Sequence, residues 1–217
     1  MLGNPIQLLL MLPPILLALT IHEVAHGWVA YRFGDPTAKM AGRLTLNPLP
    51  HLDVIGTILL FIAHIGWAKP VPVNPAYFKN PKRDLVWVSL AGPASNLALA
   101  FGFGLIFRLL PHGTIMFSSG YSNMLIIMLI YTVVINLVLA VFNLIPIPPL
   151  DGSKILAGFL PRKFEALFYQ LERIGPMLVI GLVLVGSLLH KPFLWNIMRP
   201  FIRFFSILFA GVDLSAL

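Results

Sequence analysis

Four apolar runs, residues 6–33, 84–110, 121–145 and 174–190, are each long enough, or nearly so, to cross a hydrocarbon core that takes ~20 residues of helix. With 58% hydrophobic and 11% charged residues and a mean hydropathy of +0.89, a chain of 217 residues is too apolar for an ordinary soluble domain and too short for several domains. The expectation is an all-α integral membrane protein, a polytopic helical bundle forming one domain over 1–217. Its core is expected at 6–160, with C-terminal helices over 161–217. A fifth run, 54–66, has 13 residues and as a helix reaches about 20 Å, short of the ~30 Å required. It reads as a re-entrant or extended segment between the first two full spans, which gives four to five spans in all.

The net charge of +7 does not point to nucleic acid, because the basic residues cluster between apolar runs rather than along one polar face. They read as anchors at a lipid bilayer. There is no cysteine, so disulfides and thiolate ligands are ruled out and any metal must be held by His, Asp or Glu. The N-terminus lacks the basic start and small-residue cleavage site of a signal peptide, so residues 1–34 read as mature structure.

Inside the first run stands His22-Glu23-Val24-Ala25-His26. Residues four apart on a helix share a face, so both imidazoles can reach one cation while Glu23 stands beside the remaining coordination position. Ionisable residues in an apolar span are costly to insert and persist for a function. At ~1.5 Å rise per residue, His26 and His22 lie about 12 and 17 Å from the helix end near Gly34, buried but within reach of water.

Two histidines are an incomplete site, and Asp151 is the candidate third ligand. It sits in Asn143-Leu-Ile-Pro-Ile-Pro-Pro-Leu-Asp-Gly152, where Pro146, Pro148 and Pro149 remove amide donors and forbid a continuing helix. Broken backbone at membrane depth is tolerated where protein or a wet cavity satisfies it, and a carboxylate delivered there can face a cation. The alternative is that Asp151 caps a helix over 153–160. His22, His26 and Asp151 would leave a fourth position for water, the pattern of a catalytic zinc, although imidazole and carboxylate also suit iron and manganese. Glu23 would be the general base. Asn143 would donate to the substrate or the developing oxyanion, or else bond a neighbouring helix.

The histidines lie toward the C-terminal end of the first span and Asp151 just beyond the end of 121–145. To meet, these two helices must run in the same direction, so 84–110 crosses once and 54–66 not at all. That topology puts Arg32, Lys39, Arg43, Lys69, Lys79, Lys82, Arg83, Lys154, Arg162, Lys163 and Arg173 on one side, eleven of the fifteen basic residues. The excess marks that side as cytoplasmic, with the site opening toward it.

With their order preserved, His22-Glu23-Val24-Ala25-His26, Gly92-Pro93-Ala94-Ser95-Asn96 and the Asn143–Gly152 stretch resemble the site-2 proteases, which are intramembrane zinc metalloproteases. The short members without an appended soluble domain are the most similar, through Gly42-Arg-Leu-Thr-Leu-Asn-Pro48 and Gly66-Trp-Ala-Lys-Pro-Val-Pro-Val-Asn74. The resemblance covers most of residues 15–160. It implies His22, His26 and Asp151 as zinc ligands, Glu23 as the catalytic acid-base group and Asn143 near the substrate. One departure is Val54, after His51-Leu-Asp53, where the short members usually carry proline.

The function expected is an intramembrane zinc endopeptidase that cuts transmembrane protein substrates in a prokaryotic inner membrane, and the alternative is a metal-ion transporter or sensor using the same groups. Gly92, Pro93 and Asn96 read as helix-packing residues, and His51 and His64 as loop or interfacial residues. The tail over 193–209 reads as interfacial or as a tilted packed helix. Leu44–Asn47 and Val71–Asn74 are extended by pattern or by proline; one of them pairs edge-on with an unwound substrate, or they plug the mouth of the site.

Overall fold

The computed structural model describes residues 5–63, 66–110, 121–189 and 192–216. Its helices are α1 (Pro5–Arg32), α2 (Thr37–Met40), α3 (Val54–Ala63), α4 (Pro81–Leu109), α5 (Tyr121–Asn143), α6 (Asp151–Phe159), α7 (Glu165–Leu188) and α8 (Phe193–Ala210). Among the described residues the only strand-like pairing is one isolated bridge, Leu52 with Ala68. Four helices, α1 from Ile6, α4, α5 from Asn123 and α8, are long and apolar enough to cross a membrane. The chain is an integral membrane protein.

α1 and α5 run in the same direction with α4 antiparallel between them. His26 of α1 faces Val88 of α4, while Ala18 of α1 and Asn136 of α5 both face Asn96 of α4. This arrangement brings the C-terminal ends of α1 and α5 to one depth, as the placement of the histidines and Asp151 demands.

α3 has 10 residues and so a length of about 15 Å, half a hydrocarbon core. Beside the bridge, the Lys69 amide donates to the His51 carbonyl at 2.8 Å. Both ends of the excursion are therefore tied together, and the chain leaves and returns on one side. His64 lies outside the described residues.

The C-terminal third differs from the expected boundaries. The run expected over 174–190 begins nine residues earlier, because Glu165, Glu172 and Arg173 break the hydropathy without breaking the helix. α7 leaves Met177, Leu178, Ile180, Leu184 and Val185 exposed, an apolar flank suited to lipid. It packs against α8, and its Gly175 abuts the Pro148 carbonyl.

The segment over 193–209 is a packed helix rather than an interfacial one. Met198, Ile202, Ser206 and Ala210 recur every four residues and are all buried, so one face of α8 seals onto α4 and α5. Met198, Ile202 and Ala210 join Ala100, Phe107, Ile126, Val133 and Leu137 in the main apolar core. Arg199 and Arg203, which mask this pattern in sequence, lie on the exposed face, and Arg203 pairs with Asp213 at 3.2 Å.

Candidate metal centre

α1 carries His22 and His26 one turn apart, and α6 begins with Asp151 after the proline-broken link from α5. His22 Nε2 and His26 Nε2 are 3.0 Å apart, and Asp151 Oδ2 lies 3.2 Å from each. All three residues are buried. The helix-cap alternative for Asp151 fares poorly: the residue occupies the first helical position and its Oδ2 receives no hydrogen bond.

Hydrogen-bond polarity fixes the imidazole tautomers. A carbonyl only accepts, so the 2.7 Å contact between His26 Nδ1 and the Val88 carbonyl puts the hydrogen on Nδ1 and a lone pair on Nε2. For His22 the argument runs through three side-chain bonds. Asn136 Nδ2 donates to the Thr132 carbonyl at 2.8 Å, which turns Asn136 Oδ1 toward Asn96. Asn96 Nδ2 then donates to that oxygen at 2.8 Å and to the Ala18 carbonyl at 3.1 Å. Asn96 Oδ1 is left facing His22 Nδ1 at 2.7 Å, so His22 Nδ1 must donate and its Nε2 also holds a lone pair.

With both rings neutral, three acceptors thus converge with no hydrogen among them. Added protons could bridge single edges of this triangle, whereas a divalent cation satisfies all three at once. A tetrahedral site with bonds of 2.0–2.1 Å has ligand edges of about 3.3 Å, close to those observed. The donor set, two imidazoles and a carboxylate, fits zinc, and the group could hold a metal ion.

Glu23 projects beside this group, half-buried, and its Oε2 accepts the Val71 amide at 2.7 Å. Val71 belongs to the Lys69–Asn74 segment, pinned at three further places. Arg43 donates from Nη1 to the Pro70 carbonyl at 3.2 Å and from Nη2 to the Lys69 carbonyl, and the buried Asp35 accepts the Asn74 amide at 2.7 Å. His51 is buried beneath the same network, its Nε2 on the Thr45 carbonyl at 3.0 Å, and so is a structural residue of the mouth. Leu44 and Val71 seat their side chains against Gly27 of α1, where a side chain would collide.

Asn143 ends α5, and its Nδ2 donates to the Leu139 carbonyl at 3.0 Å. Sequence reasoning missed Asn96 as the partner of His22, Asn136 behind it, and Arg43 and Asp35 as anchors of the mouth. A signal for the two asparagines existed: each is an uncharged polar residue in an apolar span and needs a partner there.

A sequence model of Peptidase family M50 matches residues 112–185, which include Asp151 but not the paired histidines. YwhC of Bacillus subtilis is 45% identical over 85% of this chain and 84% of its own length. Rip2 of Mycolicibacterium smegmatis is 31% identical over 80% of this chain and 66% of its own, and MJ0611 of Methanocaldococcus jannaschii 33% over 79% and 74%. The words zinc metalloprotease stand in the name of each. No solved structure matches the chain. A relative 45% identical over most of both chains, together with the family match, shows that the chain belongs to peptidase family M50, the site-2 proteases, and is a membrane zinc metalloprotease.

Proposed function

We propose that this protease cleaves transmembrane segments within the bilayer, with zinc held by His22, His26 and Asp151 and with Glu23 as the acid-base group. The observation that carries the reading is the buried triangle of lone pairs, above all the orphaned Asp151 Oδ2, with a carboxylate beside it. Zinc bound there would polarise a carbonyl and acidify water. Glu23 keeps Oε2 on the Val71 amide and uses Oε1 to take the proton of the attacking water and deliver it to the leaving amine. Asn143 has a second amide hydrogen beyond the one given to Leu139 and serves the developing oxyanion.

A substrate helix must unwind before its carbonyls can be attacked, and its freed backbone groups need partners. Pro70 and Pro72 strip donors from one edge of the Lys69–Asn74 segment. In extended chain the N–H and C=O of Val71 and Val73 point to the other edge, the one that meets Glu23. The unwound substrate adds to this live edge as a strand. A photocrosslinker at Val73 is expected to capture a transmembrane substrate in the Glu23→Gln background, and failure of every position from Val71 to Asn74 to do so would refute the pairing.

Basic residues at the mouth end of the bundle orient it toward the cytoplasm of a prokaryotic inner membrane. The bond from Lys82 at the start of α4 to the Leu160 carbonyl after α6 supports a common face for those two groups. Family membership favours proteolysis over use of the same ligands as a metal transit site. Membrane peptides released by the wild type and not by Glu23→Gln, identified by mass spectrometry, test the activity directly.

Asn96 acts through His22. Asn96→Ala removes the acceptor that holds His22 Nδ1, so zinc affinity measured by chelator competition is expected to fall about 10- to 100-fold. Unchanged affinity would make Asn96 a packing residue only.

A further inference from the structure

Where α1 ends and α4 begins, a cavity of about 360 Å³ is lined by Arg32, Phe33, Lys79, Arg83, Asp84 and Trp87, among others. Arg32, Lys79 and Arg83 are exposed, and among the described residues no carboxylate pairs with any of them. The one acid of the lining, Asp84, is buried and already accepts the Asn80 amide at 3.0 Å. Three cations against one carboxylate leave the lining with a formal charge of +2.

The surroundings are those of a membrane surface rather than of bulk water. Arg32 is the last residue of one spanning helix and Lys79 and Arg83 flank the start of the next, so the cavity sits at headgroup level. Trp28 and Trp87 expose about half of their surface there, at 55% and 50%, as aromatic residues do at the bilayer boundary. The Arg32 guanidinium stacks 5.6 Å from the Trp28 ring centroid.

A second cavity, of about 410 Å³, shares Arg83 and Trp87 and continues over Lys82, Val86, Gly158 and Phe159. Its lining is mostly apolar. Gly158 has no room for a side chain, because a Cβ would collide with Val86, and this lets α6 close against α4 as the floor of the trough.

A cationic cup that opens into an apolar trough matches an amphiphile. A soluble phosphate ester would leave the trough unused, and a zwitterionic lipid would bring a further cation among three. We infer that the two cavities bind one anionic phospholipid, its phosphate on Arg32, Lys79 and Arg83 and an acyl chain along Trp87 and Phe159. The lipid then ties the end of α1 to the start of α4.

Native mass spectrometry of the full chain, released from mixed phosphatidylglycerol and phosphatidylcholine, tests this. One phosphatidylglycerol per chain is expected to be retained, in roughly tenfold preference over phosphatidylcholine, and Lys79→Gln/Arg83→Gln is expected to lose that preference with its zinc content unchanged. A matched Lys154→Gln/Arg199→Gln pair should keep it. In the unmodified chain, brominated phosphatidylglycerol should quench tryptophan fluorescence more than brominated phosphatidylcholine, and Trp87→Phe should abolish the difference. Equal retention of both lipids, full retention by the Lys79/Arg83 variant, equal quenching, or displacement by acyl-free glycerol 3-phosphate would each overturn the assignment, the last by giving the cavity to a soluble ester.

Discussion

Glu23→Gln is expected to bind about one zinc per chain, as the wild type does, and to lose 10²- to 10⁴-fold in cleavage of a transmembrane substrate. The two effects separate because Glu23 stands beside the group that could hold the ion without belonging to it: its Oε2 is engaged by the Val71 amide, while His22, His26 and Asp151 are the proposed ligands. Glutamine has nearly the same shape, and its amide oxygen can still accept from Val71. A loss of rate therefore cannot be charged to release of the Lys69–Asn74 segment. What the substitution removes is an oxygen able to take a proton. Asp151→Ala is expected to do the reverse in its first effect, lowering zinc occupancy measured by elemental analysis, since it deletes one of three converging acceptors. Undiminished cleavage by Glu23→Gln would sink the acid-base assignment, and normal zinc content in Asp151→Ala would remove that residue from the ligands.

Much of this site is legible in the sequence because long-range geometry follows from counting crossings. Paired histidines near the end of one span and an aspartate after another force α1 and α5 to be parallel, and the short 54–66 run then has to return on its own side, as the Leu52–Ala68 bridge shows it does. Side-chain identity carries no such information about the mouth. The partner of Glu23 is a main-chain amide, which any residue but proline could offer, so nothing in Val71 marks it in advance. Arg43 and Asp35 likewise act on backbone groups, holding the carbonyls of Lys69 and Pro70 and the amide of Asn74. In the C-terminal third, hydropathy misleads in both directions. Glu165, Glu172 and Arg173 conceal the first turns of α7, and Arg199 and Arg203 conceal the buried stripe of α8, because a helix continues through charges that a span would avoid.

Gly92→Ala is expected to strip zinc from the centre, although by composition it is among the mildest substitutions available. Sequence reasoning takes Gly92 as a point of close helix approach, and the structure identifies what approaches: a Cβ there would lie 2.6 Å from Cε1 of both His22 and His26 and closer still to His26 Nε2. Moving α4 away offers no relief. Val88, Gly92 and Asn96 are spaced four apart and share one face of α4, and the residues on either side of Gly92 are the ones that hold the imidazoles, Val88 through His26 Nδ1 and Asn96 through His22 Nδ1. A shift large enough to admit a methyl group breaks both bonds and with them the tautomers that point the lone pairs inward. If Gly92 served helix packing alone, alanine would add about 1 kcal/mol of helix propensity and could only crowd its neighbours. The expected signature is therefore a chain that remains folded and helical yet loses at least about 100-fold in zinc affinity, with cleavage falling in step. Gly102 in the same helix is the control, since a Cβ there meets nothing within 4 Å, and Gly102→Ala should retain wild-type zinc and activity. Full zinc occupancy in Gly92→Ala would mean that the imidazoles can be held without the α4 face that presses on them, and the account of how this fold builds its metal centre would fail at that contact.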